Sequence, residues 1–321
     1  MRVVTMTDRC AEGLEDECVI ALSPDTGRDL HGDEARAQLD DFLDHIDGID
    51  RDQRHAARYG FDHRDPYQME QVGFDAPLVF ELGGIRSLLA NWAFVQSAMS
   101  IEDPDRLLLD YTRLMMGFLL FNPSPETIEI IGLGGGSLAK YCYRHLPDAS
   151  IVGVEIDPEV IAVGERFLMP PEDERFEIVC TDGAEFVRQD FRTCDVLLVD
   201  GFDSDGQVPQ LCSSEFYRDC HLRLNPGGIF VANLCDLSWK HASVLARVRE
   251  HFATIIVVPV EDGMNWVVFA FKDEQACLDR GAIRQIACSL DETHPMSFSP
   301  LAEEILGRLP AVANGHPLIP R

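Results

Sequence analysis

From Thr127 onward the chain alternates between short apolar runs rich in Val and Ile and longer stretches whose apolar positions recur at helical spacing. "TIEIIGL", "SIVGVEID", "RFEIVCTD", "CDVLLVD" and "IFVANL" read as strands. The intervening segments 137–146, from Pro158, 183–190, 213–224 and 238–252 read as helices. Proline is favoured at the first helical position, which suits Pro158. Apolar, β-branched strands separated by helices predict a parallel sheet covered on both faces. The pattern then changes: "ATIIVVPV" and "NWVVFAF" are separated only by "EDGM", which predicts an antiparallel hairpin.

Upstream, from Tyr67 to about Ser100, the pattern shortens to strand-like pieces: "YQMEQVGF", "PLVFELGGIRSLLA" and "AFVQSAM". "RLLLDYTRLMMGFLLF" (106–121) has helical spacing and ends at the prolines of "NPSPE". The expected fold class is therefore α/β, the Rossmann-like fold of S-adenosylmethionine-dependent methyltransferases, with a small N-terminal β domain. The expected division is an acidic, loosely ordered leader at 1–65, a β-rich domain at 66–105, the nucleotide-binding domain at 106–288, and a surface tail with one short helix at 289–321.

Composition narrows the partners. The hydrophobic fraction of 46% and charged fraction of 26% suit a globular chain. A net charge of −28 argues against nucleic acid and against an anionic membrane surface, and leaves room for a cationic substrate. The ten cysteines form no C-x-x-C and the ten histidines no H-x-x-x-H, so neither a disulfide framework nor a metal is expected. "MRVVTMTDRC" has no apolar signal core. The most apolar window carries Arg106, Asp110 and Arg113 and is shorter than the roughly 20 residues of a membrane span. A cytoplasmic protein is expected.

The chemistry concentrates at the strand ends. After "TIEII" comes Gly132-Leu133-Gly134-Gly135-Gly136-Ser137, which fits G-x-G-x-G but not G-x-G-x-x-G. Glycines let a backbone turn tightly and approach a ligand closely. Glu155 ends the next strand, where a carboxylate can accept both ribose hydroxyls; NAD enzymes share that feature. Asp182 ends the third strand, placed to accept from an adenine amino group, although it and Asp157 could equally cap helices. Together these favour an adenosyl sulfonium over NAD. Asp200 and Asp203 follow the fourth strand. Paired acids beside a cationic electrophile suit an amine nucleophile, which a carboxylate can bind as ammonium and then deprotonate.

Here the residues resemble the spermidine synthases and related polyamine aminopropyltransferases. The resemblance runs from about Tyr67 to Phe271 and includes "YTRLMM", "GLGGGS", "VEIDP", "DVLLVDGFD", "LCSSEFY" and "LNPGG". It implies transfer of an aminopropyl group from decarboxylated S-adenosylmethionine to putrescine or a similar amine, with release of methylthioadenosine. It implies no permanently bound cofactor and a homo-oligomer. Gly132, Gly134, Gly136 and Ser137 would form the nucleotide loop, Glu155 would hold the ribose, and Asp182 with Gly183 the adenine side. Asp200 would be the catalytic acid/base and Asp203 would bind an amine. Gln68 and Gln96 resemble glutamines that reach the nucleotide, and Tyr111 a tyrosine beside the acceptor. One position departs: the family commonly has an aspartate where Ser137 stands, and a serine supplies no charge to the donor's ammonium. Three readings stay open: an aminopropyltransferase with a relocated amine ligand, a methyltransferase using intact S-adenosylmethionine on a small amine, or a non-catalytic nucleotide- or polyamine-binding relative.

Overall fold

The computed structural model of the chain describes residues 2–7, 17–22, 73–91, 94–189, 192–203, 206–235, 240–260, 265–273, 279–309, 312–313 and 316–317. Five strands come first: β1 (Arg2–Thr7), β2 (Glu17–Leu22), β3 (Gly73–Leu82), β4 (Ile85–Asn91) and β5 (Phe94–Ser100). They pair antiparallel in chain order as one sheet. Two of these strands lie within the stretch expected as a loosely ordered leader. "RVVTMT" and "ECVIAL" are rich in β-branched residues, Val3, Val4, Thr5, Thr7, Val19 and Ile20, which favour strands.

The apolar run at 106–121 forms less α-helix than its spacing predicts. Only α1 (Asp110–Met115) is α-helical, and Met116–Leu120 tightens to a 3₁₀ turn. All five residues of that turn are buried. Gly117 packs so closely that an added Cβ would lie 2.7 Å from Ile305 Cδ1 and 3.1 Å from Phe269 Cζ. A segment enclosed all round lacks the single apolar stripe of a surface helix, and close packing sets its winding.

The large sheet is built from β6 (Thr127–Ile131), α2 (Ser137–His145), β7 (Ser150–Glu155), α3 (Pro158–Val163), β8 (Phe176–Cys180), α4 (Gly183–Arg188) and β9 (Cys194–Val199). A two-residue pair follows, β10 (Phe202–Asp203) with β11 (Gly206–Gln207), then α5 (Ser214–Arg223), β12 (Leu224–Cys235), α6 (Lys240–His251), β13 (Thr254–Pro259) and β14 (Asn265–Phe271). The strand order is β13-β14-β12-β9-β6-β7-β8. β12, β9, β6, β7 and β8 run parallel, and β14 is antiparallel to both its neighbours. After β6 the chain moves out through β7 and β8, then returns to β9 on the other side. The junction of β6 and β9 is thus a topological switch point, where a crevice opens at the carboxyl ends of the strands.

Local chemistry sets the helix starts. Pro158 opens α3 behind Asp157, whose carboxylate accepts from the Glu159 amide at 2.8 Å. Ser213 caps α5 by accepting from the Phe216 amide at 3.1 Å. One core packs α2 and the C-terminal helices on one face of the sheet; the other packs α4, α5 and α6 on the opposite face. A buried ion pair, Arg223 to Glu129, spans α5 and β6 with both nitrogens at 2.8 Å.

The C-terminal segment is a correction. Residues 289–309, expected as a surface tail, hold the end of α7 (Arg280–Thr293) and all of α8 (Phe298–Arg308). Phe298, Ile305 and Leu306 are buried in the main core, the last two at i, i+1 on the face that meets the 3₁₀ turn and β13. The buried residues of α8, Phe298, Leu301, Ala302, Ile305 and Leu306, fall at i, i+3, i+4, i+7 and i+8 and form one docking face. Among the described residues, no helix is long and apolar enough to cross a membrane.

Candidate functional site

The loop after β6 turns through three glycines in left-handed conformation, Gly132 (φ 86°), Gly134 (φ 50°) and Gly136 (φ 74°). A Cβ on Gly132 would lie 2.2 Å from the Asp200 carbonyl oxygen, so the close approach of β6 and β9 requires glycine there. Every amide of the loop is already bonded. Gly132 donates to Val154 O at 2.9 Å, and Gly136 to Leu133 O at 2.8 Å. Leu133 and Gly134 donate to Glu155 Oε2 at 3.0 and 3.3 Å, and Gly135 to Ser97 Oγ at 2.8 Å. Dinucleotide sites use such amides to cradle a pyrophosphate. Here the amides of residues 132–136 are engaged within the chain.

Glu155, at the end of β7, is buried, and its second oxygen accepts from the Ile156 and Asp157 amides at 2.9 and 3.1 Å. Four backbone donors therefore fix the carboxylate beside the loop. Asp182 precedes α4 and caps it, Oδ1 accepting from Ala184 at 2.7 Å and Glu185 at 3.1 Å. Its Oδ2 faces the crevice rim, with Gln210 Nε2 at 3.5 Å. Gly183 is needed for packing: its Cβ would lie 2.4 Å from Ile131 Cγ2. Between the two acids, Ile156 is 59% exposed, an apolar surface suited to the face of a base. Sequence reasoning passed over it; the signal was an apolar residue directly after a strand-end acid.

Asp200 follows the last residue of β9. Val199 of β9 is in register with Ile131 of β6 and with Ala232 of β12. The next residue on each side, Asp200 and Asn233, therefore stand together. Asn233 Nδ2 donates to Asp200 Oδ1 at 2.9 Å, and the Tyr111 hydroxyl from α1 donates to the same carboxylate. Burial pushes the Asp200 carboxyl up to about 6, against the opposing pull of the Asn233 and Tyr111 hydrogen bonds. The residue keeps a partly exposed edge at the crevice.

Of the other predicted site residues, Gln96 lies on β5, its carbonyl 3.9 Å from the Cβ position of Gly134. Its neighbour Ser97, which sequence reasoning missed, makes the actual bond to the loop. Ser137 is the first residue of α2, directly after Gly136. Asp203 lies in β10, its backbone paired with Gly206. Gln68 lies outside the described residues.

A second layer supports the loop. Lys140 of α2 is 1% exposed and donates to Phe167 O at 2.8 Å; burial lowers its ammonium to about 8. Phe167 in turn presses on the loop, its Cδ1 2.7 Å from the Cβ position of Gly135. Arg86 of β4 bonds the neighbouring Arg166 carbonyl.

Residues 109–268 match the spermine/spermidine synthase domain. The chain is 39% identical over 222 residues to a polyamine aminopropyltransferase of Chromobacterium violaceum, covering 68% of this chain and 85% of that protein. It is 36% identical over 241 residues to the polyamine aminopropyltransferase of Neisseria meningitidis, covering 73% and 92%. Among solved structures, a spermidine synthase in complex with the transition-state analogue AdoDATO superposes with a TM-score of 0.57 at 21% identity, covering 73% of this chain and 83% of that one. Human methyltransferase-like protein 13, in complex with SAH, gives a TM-score of 0.52 at 23% identity, covering 58% and 92%. At those identities the structures speak to the fold alone.

Proposed function

The chain belongs to the spermine/spermidine synthase family, and from that premise we propose that it moves an aminopropyl group from decarboxylated S-adenosylmethionine to a di- or polyamine. The observation that carries the reading is Asp200: a carboxylate at the switch point, raised to about 6 and held, among the described residues, by the neutral donors Asn233 and Tyr111. A general base serves best when its pKa lies near the working pH. At pH 7 Asp200 is ionised and can receive the acceptor amine as its ammonium. It takes a proton from that nitrogen, freeing the lone pair. The nitrogen then attacks the aminopropyl carbon bonded to the sulfonium. The C–N bond forms, the C–S bond breaks, and the electron pair returns to sulfur, giving the neutral thioether methylthioadenosine.

Glu155 would accept the ribose hydroxyls, Asp182 the adenine amino group, and Ile156 would lie against the base. The loop glycines, with Ser137 at their end, would pass the sulfonium toward Asp200. Tyr111 and Asp203 would flank the acceptor, and Gln96 and Gln68 the nucleotide. A second reading rests on Ser137. With no acid at that position, nothing there repels a donor carboxylate, so intact S-adenosylmethionine and methyl transfer fit the same fold.

Calorimetric titration with decarboxylated and then intact S-adenosylmethionine separates the two, followed by an assay for methylthioadenosine with putrescine, cadaverine and spermidine in turn. Tighter binding of the decarboxylated donor and amine-dependent methylthioadenosine are expected. Tighter binding of the intact donor, with S-adenosylhomocysteine as product, overturns the proposal in favour of methyl transfer.

A further inference from the structure

We infer that Asn233 is a positioning residue for Asp200: its side-chain amide, delivered by the register of β9 and β12, holds the carboxylate in the orientation that faces the crevice. The inference rests on the reading of Asp200 as the base. Three observations carry it. Asn233 is only 4% exposed, so it is not a surface amide that happens to turn inward. Its Nδ2 meets Oδ1 at 2.9 Å, a good hydrogen-bond distance. The pairing of Val199 with Ala232 leaves the residues after them side by side.

The chemistry of the pair is specific. An amide donor carries no charge, so it fixes a carboxylate without an opposing cation that would hold the proton off permanently. It also does not titrate, so the contact persists whichever way the proton moves. The groups acting on Asp200 are its own burial, Asn233 from β12 and Tyr111 from α1. Asp203, three residues along the loop, is the next acid in sequence. With Tyr111 of α1 also donating, the carboxylate is held by two elements that share no local sequence. An asparagine that only fills space would leave the Asp200 titration unchanged on replacement by a leucine of similar size. A positioning asparagine would not.

The test uses three variants of the full chain. Asn233→Leu removes the donor, and Asn233→Asp keeps the size but replaces the donor with an acceptor. Asn233→Gln keeps the donor on a longer arm. The Asp200 carboxyl is followed by ¹³C NMR of Asp-labelled protein without substrate, assigned with Asp200→Asn. Turnover is followed as methylthioadenosine release. Loss of a hydrogen bond to the ionised form should move the Asp200 titration and the acid limb of kcat upward by about one pH unit in Asn233→Leu. Asn233→Asp should shift both further, and Asn233→Gln should restore at least part of the wild-type value. In an Asp200→Asn background, Asn233→Leu should cost no further rate, because the two act as a unit.

An Asp200 titration unchanged in both Asn233→Leu and Asn233→Asp overturns the inference, whatever happens to melting temperature. So do rate losses that simply multiply in the double variant. A normal rate in Asp200→Asn would instead sink the reading of Asp200 as base. The NMR titration would still report whether Asn233 sets that carboxylate.

Discussion

Two kinds of carboxylate stand at the carboxyl ends of one sheet. Glu155 and Asp182, on the β7–β8 side, accept almost wholly from backbone amides: four for Glu155 and two for Asp182. Asp200, on the β9–β12 side, is held by two side chains from distant parts of the chain. Backbone amides converge at these strand–helix turns and hold the carboxylate still. Side-chain donors in a crowded site leave burial in charge, and the acid is raised to about 6. The first arrangement suits recognition of a neutral, polar nucleoside. The second suits proton transfer.

Asp200→Asn should produce the largest effect, because it removes the only group in this comparison poised to accept a proton. We expect kcat to fall about 10²- to 10⁴-fold with nucleotide affinity within a few fold of wild type. Single-turnover methylthioadenosine release and calorimetry read the two quantities, and a comparable loss of affinity would erase the distinction between the two sides. Glu155→Gln should do the opposite. Its amide would point N–H groups at backbone N–H donors in a buried place, so donor Kd should weaken about 10- to 100-fold. Once saturated, the variant should keep most of its kcat.

The third expectation concerns pH. The folded value of Asp200 lies above the ordinary 3.8. Its contribution to stability is therefore present below about pH 4 and lost as pH rises through about 6. Below about pH 6, kcat should fall roughly tenfold per unit as the base becomes protonated. Denaturant melts at pH 8 should show Asp200→Asn more stable than wild type, since the variant buries no charge there. A wild type more stable than the variant at that pH would mean that burial does not raise this carboxyl.

The smallest effect is expected at Ser137. Ser137→Asp at the head of α2 adds a charge beside the donor's tail and complements the helix N-terminus. The ratio of affinities for decarboxylated over intact donor should rise about tenfold. No change in that ratio would place the donor's ammonium elsewhere.

Much of this is legible in the sequence. Glu155, Asp182 and Asp200 each end an apolar β-branched run, and strand ends in an alternating α/β chain must share one edge. Partners in space were not legible. Asn233 is 33 residues from Asp200 and Ser97 is 38 from Gly135, and only strand register or sheet packing joins them. Nor did periodicity reveal that Phe298–Arg308 docks on the core, because apolar spacing does not say which surface receives it.

The bond from Gly135 to Ser97 ties a loop of the large sheet to a strand of the antiparallel one. If nucleotide binding tightens that loop, free-energy linkage requires that the antiparallel sheet be steadied by the same factor, and that loosening the sheet weaken the nucleotide equally. A substitution on β5 such as Ser97→Ala, which removes no acid, would then read out as a change in affinity. The small sheet would be a thermodynamic partner of the site even though it supplies none of the acids.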